Sequence, residues 1–212
     1  MSEAPREFHK PVRRAGDHLD RRFSSADPAE RSRVATMTAT ALLTRVRAQP
    51  TDAVVQRLIG YATTHGIDTI AELWAHSPAR SLPGVLWRIY LLQLMIHEDA
   101  RTSSLLYERG RAALESADEA IAGASAPAGP DELVVLAEQI LHGVFVGDFA
   151  IALERAASFC RVESAGAIDL ADDYDATEPE RGTALTRRAL RLSRYADDLT
   201  VCAGLWRRGE LG

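Results

Sequence analysis

Apolar residues recur along most of the chain at spacings of three and four, which is the pattern of an amphipathic helix. The segment that opens at Asp27 and Pro28 shows it first, with Val34, Met37 and Ala41 on one face. Aspartate can cap a helix, and proline fits its first position. Similar segments follow, separated by short polar or glycine-containing breaks. The sequence therefore predicts an all-α fold, a single-domain multi-helix bundle of about 7–9 helices.

One segment, residues 82–96, is apolar on nearly every side and is interrupted only by Arg88 and Gln93. A helix that is apolar all round is surrounded by other helices, so we predict that this is the central helix of the bundle. The segment is too short to span a bilayer. The N-terminus is polar and lacks the hydrophobic region of a signal peptide. We therefore expect no membrane partner.

Two segments lack the apolar spacing of an amphipathic helix, and they indicate how the chain is divided. Residues 1–26 are polar and contain Pro5 and Pro11, which predicts an extended N-terminal arm. This arm is richer in basic than in acidic side chains, so it could dock on an acidic protein surface. Small, uncharged residues fill 123–129 and predict a loop. We assign 27–212 to a single helical domain that contains this loop.

The last third of the chain contains an acidic stretch, residues 169–180. We predict that the helix before it is capped by Asp148 and ends near Glu163. Thr177 and Glu180 have the spacing of a capping box, which predicts a last helix from about Pro179 to Arg208.

This last helix carries the clearest pattern in the sequence, a heptad seam. Large side chains recur every seven residues on one row and alanines on a second row, namely Leu185, Leu192, Leu199 and Trp206, with Ala189, Ala196 and Ala203. Such a seam needs a partner helix. The partner is either another helix of this chain or the same helix of a second copy, antiparallel across a two-fold axis. The second alternative makes these seven residues a homodimer interface.

The charge and the cysteine content of the chain argue against some classes of function. The net charge is −5, and the basic patch of the last helix directly follows the acidic stretch, so a nucleic-acid partner is not expected. The two cysteines, Cys160 and Cys202, belong to no CxxC pair and lie in apolar helical surroundings. We read them as buried thiols in a reducing cytoplasm.

Two groups of residues are candidates for chemistry or ligand binding. Asp172, Asp173 and Asp175 could gather oxygen ligands for Mg²⁺ in a metal-dependent hydrolase, but the favoured interpretation is a solvated turn. A cavity beside Trp74, Trp87 and Tyr90 could hold an apolar ligand, although such aromatic residues more often belong to the core. The chain has no nucleophile elbow and no phosphate loop. We therefore predict no catalytic residue and no cofactor.

Several stretches resemble a small family of actinobacterial helical proteins. They are FHKPVRRAGDHLDRRFS (8–24), LPGVLWRIYLL (82–92), GVFVGDFAIALERAASFCRVESAG (143–166) and DATEPERGTALTRRALRLS (175–193). Some members carry the label RNA polymerase β subunit, but this chain lacks the catalytic aspartate motif of a polymerase. The resemblance carries over no catalytic residue. It implies a bacterial cytoplasmic protein.

The pattern as a whole favours a non-enzymatic helical interaction protein that forms a homodimer. The seam motivates this interpretation. A ligand-binding or regulatory helical domain and a metal-dependent hydrolase are the two alternatives.

Overall fold

The computed structural model describes residues 27–48, 73–114 and 129–212. These residues form helices and no strand, which confirms the predicted all-α bundle. Six helices are α1 Pro28–Ala48, α2 Leu82–Glu98, α3 Ala100–Ala113, α4 Pro130–Phe145, α5 Phe149–Tyr174 and α6 Pro179–Arg207. The predicted arm at 1–26, and the predicted loop at 123–129 apart from its last residue, lie outside the described residues.

Two of the predicted helix starts are confirmed by their caps. The Asp27 carboxylate accepts a hydrogen bond of 3.1 Å from the backbone N–H of Ala29 at the start of α1. Asp148 does the same for Ile151 at the start of α5, also at 3.1 Å. Each bond satisfies a backbone donor that has no partner inside its helix, which is why short polar side chains favour these positions.

The last helix starts at Pro179, as predicted. Two other expectations are wrong, namely the end of α5 and the capping box before α6. The helix predicted to end near Glu163 continues to Tyr174, so part of the acidic stretch is helical. It continues because its inner face still carries buried apolar residues such as Leu170. The capping box is also absent. Glu178 occupies the cap position of α6, and neither its side chain nor that of Thr177 accepts a hydrogen bond from the backbone at the start of the helix.

The apolar segment at 82–96 forms α2, as predicted. Val85, Ile89 and Ile96 are buried on its inner faces. This helix contacts α1, α3, α4 and α6. The longer helix α5 contributes most to the core, since it packs against α3, α4 and α6 and buries residues along its whole length.

Helices α5 and α6 form an antiparallel hairpin. Arg207, at the end of α6, forms two hydrogen bonds of 2.6 and 2.8 Å with Glu154 near the start of α5. Farther along the hairpin, the Ser164 hydroxyl donates a 2.9 Å hydrogen bond to the carbonyl oxygen of Ala189. Partner numbers fall along α6 as they rise along α5, which fixes the antiparallel direction.

Helices α3 and α5 cross at two glycines, Gly110 and Gly166. A Cβ atom at Gly110 would lie 1.8 Å from the carbonyl oxygen of Val162, and one at Gly166 would lie 1.8 Å from that of Leu106. Both contacts are with backbone, which cannot rotate away. The two helices therefore approach as closely as their backbones allow, and only glycine fits at either position.

Candidate functional site

The heptad seam of α6 is covered by the chain itself. Six of its seven residues are buried, namely Leu185, Ala189, Leu192, Ala196, Leu199 and Ala203. The helix packs along its whole length against α5, and small side chains on the alanine row let the two backbones come close. The structure thus adopts the intramolecular alternative. The assignment of these residues to a dimer interface is corrected, because a second copy cannot reach them.

Trp206, the seventh seam residue, is half-buried at the end of α6. Its ring lies 4.5 Å from that of Phe149 at the start of α5, centroid to centroid. The Arg47 guanidinium lies 5.8 Å from the Trp206 ring and donates a 2.7 Å hydrogen bond to the carbonyl oxygen of Gly147. Arg47 thereby joins the end of α1 to the α4–α5 turn and to α6.

A buried charged group lies where α3, α5 and α6 meet. Glu163 of α5 has no solvent exposure, and its Oε1 accepts a 2.5 Å hydrogen bond from Nη2 of Arg188 on α6. The same nitrogen donates a 3.0 Å hydrogen bond to the hydroxyl of Ser103 on α3. The Glu163–Arg188 pair was missed in the sequence, because the helix was expected to end at Glu163.

Burial raises the pKa of the Glu163 carboxyl, while the charge and hydrogen bond of Arg188 act in the opposite direction. Asp99, which caps α3 through a hydrogen bond from the N–H of Thr102, also feels the Arg188 charge. The pKa of Asp99 is lowered, chiefly by its hydrogen bonds with Thr102. Arg188 therefore interacts with the buried carboxylate of Glu163 and the exposed carboxylate of Asp99. Its hydrogen bonds connect α6 to α3 and α5.

The outer face of α6, opposite the seam, is exposed and combines apolar and charged side chains. Leu190 is 52% exposed and Val201 is 37% exposed. Arg194 and Asp197 lie between them and are exposed too. Neither makes a hydrogen bond or an ion pair with any residue that the structure describes, although they are one helical turn apart. This face is the best candidate for a functional surface in the described part of the chain.

The three aspartates considered as magnesium ligands do not form a metal-binding group among the described residues. Asp172, Asp173 and Asp175 are exposed, and Asp173 bonds at 2.6 Å to Arg109 of α3, which also bonds to Asp169 at 3.0 Å. Within 27–48, 73–114 and 129–212, no group of three or more histidine, cysteine or acidic side chains could hold a metal ion. One of the three candidate ligands, Asp173, is therefore paired with an arginine.

The three aromatic residues proposed to line a ligand cavity have separate roles. Trp74 is buried in the main core and donates a 3.1 Å hydrogen bond from its indole N–H to the hydroxyl of Thr38. Trp87 and Tyr90 are half-buried neighbours on α2, with ring centroids 5.5 Å apart. These contacts agree with the interpretation of Trp74 as a core residue.

Both cysteines are free and buried, as predicted. Burial raises the pKa of the Cys160 thiol far above its usual range and raises the pKa of Cys202 to about 11. Since the thiolate is the nucleophilic form, both side chains are unreactive at neutral pH.

Comparisons with known proteins do not identify any further functional residue. No protein-family model matches the chain, and searches of curated proteins and of solved structures found no match. None of the helices in the described residues is long and apolar enough to cross a membrane.

Proposed function

We propose that the protein is a non-enzymatic helical interaction protein that acts as a homodimer, and that the outer face of α6 is its interface. One observation carries the proposal. The face places two exposed apolar side chains, Leu190 and Val201, in line with a cation and an anion that have no partner among the described residues. An isologous interface needs such a surface, because it must present complementary groups to its own copy.

Several charged side chains have structural roles, which also supports this proposal. Glu163 and Arg188 pair with each other inside the bundle, and Asp169 and Asp173 bind Arg109. These contacts join helices of one chain. Arg194 and Asp197 of α6 have no such partner among the described residues.

The size of the surface sets the expected affinity. The outer face of one helix of 29 residues offers less than the roughly 800 Å² per partner of a standard interface. We therefore expect a reversible dimer with a Kd of about 1 to 100 µM.

Light scattering on two leucine variants tests the proposal. Leu190→Glu should give a monomer at about 100 µM chain, a concentration at which at least about half of the wild-type chains are in dimers. Leu105→Glu is the matched control, because Leu105 is 45% exposed on α3 and carries the same side chain away from α6. It should remain dimeric. A wild-type monomer at this concentration, or equal behaviour of the two variants, would contradict the proposal.

Two parts of the functional hypothesis stay predictions. Docking of a protein partner on the arm at 1–26 concerns residues outside those described. The cytoplasmic location rests on the free thiols Cys160 and Cys202, since disulfides are rare in that compartment.

A further inference from the structure

Four exposed residues of α6 form two pairs that share the same midpoint along the helix. Leu190 and Val201 are eleven positions apart, which is about three helical turns, so they lie on the same line along the helix roughly 16 Å from each other. Arg194 and Asp197 lie close to this line, on opposite sides of its middle. The midpoint of each pair falls between residues 195 and 196.

This shared midpoint is what an antiparallel two-fold axis requires. An antiparallel copy centred there places Leu190 against the partner's Val201 and Arg194 against the partner's Asp197. Each contact then occurs twice, as in any isologous interface. A parallel copy would instead place Arg194 beside the partner's Arg194, and like charges at such a contact are unfavourable.

We infer that two copies of this chain pair through antiparallel α6 helices, with Leu190 opposite the partner's Val201 and Arg194 opposite the partner's Asp197. The inference rests on the proposed homodimer and adds its register and direction. It also explains why Arg194 and Asp197 are free within the described part of one chain, since each has its counter-charge on the other copy.

Disulfide trapping tests the register. We expect Leu190→Cys mixed with Val201→Cys to form a cross-linked dimer under mild oxidation, because the two positions face each other. Leu190→Cys alone should not cross-link, since the two copies of that position are about 16 Å apart along the axis, beyond the roughly 7 Å reach of a disulfide. The native cysteines are buried and should not compete.

Charge exchange provides a second readout that does not depend on a cysteine variant. Arg194→Asp should weaken dimerisation roughly tenfold, because it creates two like-charge contacts. Adding Asp197→Arg to the same chain should restore the affinity, because both pairs are then reversed. Arg191→Asp is the matched control, since Arg191 is exposed on α6 and faces no acidic residue in this register.

The outcomes separate the register from the dimer. A wild-type dimer whose mixed cysteine variants do not cross-link, and whose affinity the double charge exchange does not restore, would overturn the register and leave the proposed dimer standing. A wild-type monomer would overturn both. Cross-linking of the mixed pair, with rescue by the double exchange, supports the antiparallel arrangement.

Discussion

Arg188 donates a hydrogen bond of 2.5 Å to Glu163, a carboxylate that is completely shielded from solvent. The pair connects α6 to α5, and Ser103 extends the connection to α3. Before and just after Arg188, at Leu185 and Ala189, the inner face of α6 packs in a small apolar cluster. From Leu192 onward it packs in the main core. The pair thus lies at a boundary where apolar packing alone does not define how the helices align.

Breaking this pair from one side should strongly destabilise the protein. Arg188→Met leaves the Glu163 carboxylate buried without its cation, and we expect a loss of about 3–5 kcal/mol in the free energy of unfolding. The double variant Glu163→Leu with Arg188→Met removes both charges and should have a stability near that of the wild type. Urea unfolding measures both. A double variant as unstable as the single one would contradict this account.

Stability should depend on pH through Glu163. Burial raises its pKa in the folded state above the usual 4.5, so the folded chain binds the proton more tightly than the unfolded chain. The stability that Glu163 contributes is therefore present below about pH 4.5. It is lost as the pH rises through the pKa of Glu163 in the folded chain. Relative to Glu163→Gln, the wild type should lose stability as the pH rises from 4.5.

Urea unfolding of the wild type and Glu163→Gln across this range gives the difference directly, because contributions from other groups cancel. A difference that grows in favour of the wild type with rising pH would show that the charge of Arg188 outweighs the burial of Glu163.

The glycine crossing of α3 and α5 gives a prediction about packing. Gly110→Ala and Gly166→Ala each place a methyl group against a carbonyl oxygen, so each should destabilise the protein by about 3 kcal/mol or more. Gly204→Ala is the control within α6, because its Cβ would meet only the Arg208 guanidinium at 3.4 Å. It should be neutral or stabilising by up to about 1 kcal/mol, since alanine is the better helix former. Thermal unfolding of all three variants checks the order.

The acidic end of α5 should not bind divalent cations. Arg109 pairs with Asp169 and Asp173, and it would repel a metal ion there. Calorimetric titration with millimolar Mg²⁺ or Mn²⁺ should give no saturable heat. Saturable binding that Asp173→Asn abolishes would restore the metal site that we considered from the sequence.

Local patterns in the sequence were enough for the helices and for part of the core. Asp27 and Asp148 identified two helix starts because the cap is a contact between near neighbours. The spacing of leucine and alanine identified the buried face of α6, which depends only on helical periodicity. What covers that face could not be read from spacing, since a partner helix from the same chain and one from a second copy produce the same pattern.

Contacts between distant residues account for the errors. The acidic residues after Glu163 suggested the end of a helix, but α5 continues because residues such as Leu170 are buried against other helices. Arg109, sixty residues before Asp169, pairs with two of the acidic side chains. The buried pair of Glu163 and Arg188 has a similar origin, because its two members are 25 positions apart. No local pattern marks such pairs, and only the packing of α3, α5 and α6 brings them together.

Sedimentation equilibrium of the wild-type chain over a range of concentrations shows whether two copies of the chain associate. We expect a weight-average mass that rises with concentration from 23.1 kDa, the mass of one chain. At about 100 µM chain it should be at least about 1.5 times that value, because the expected Kd is about 1 to 100 µM. The Leu190→Glu variant should keep the mass of one chain throughout. A wild-type mass that stays at 23.1 kDa across the range would contradict the account.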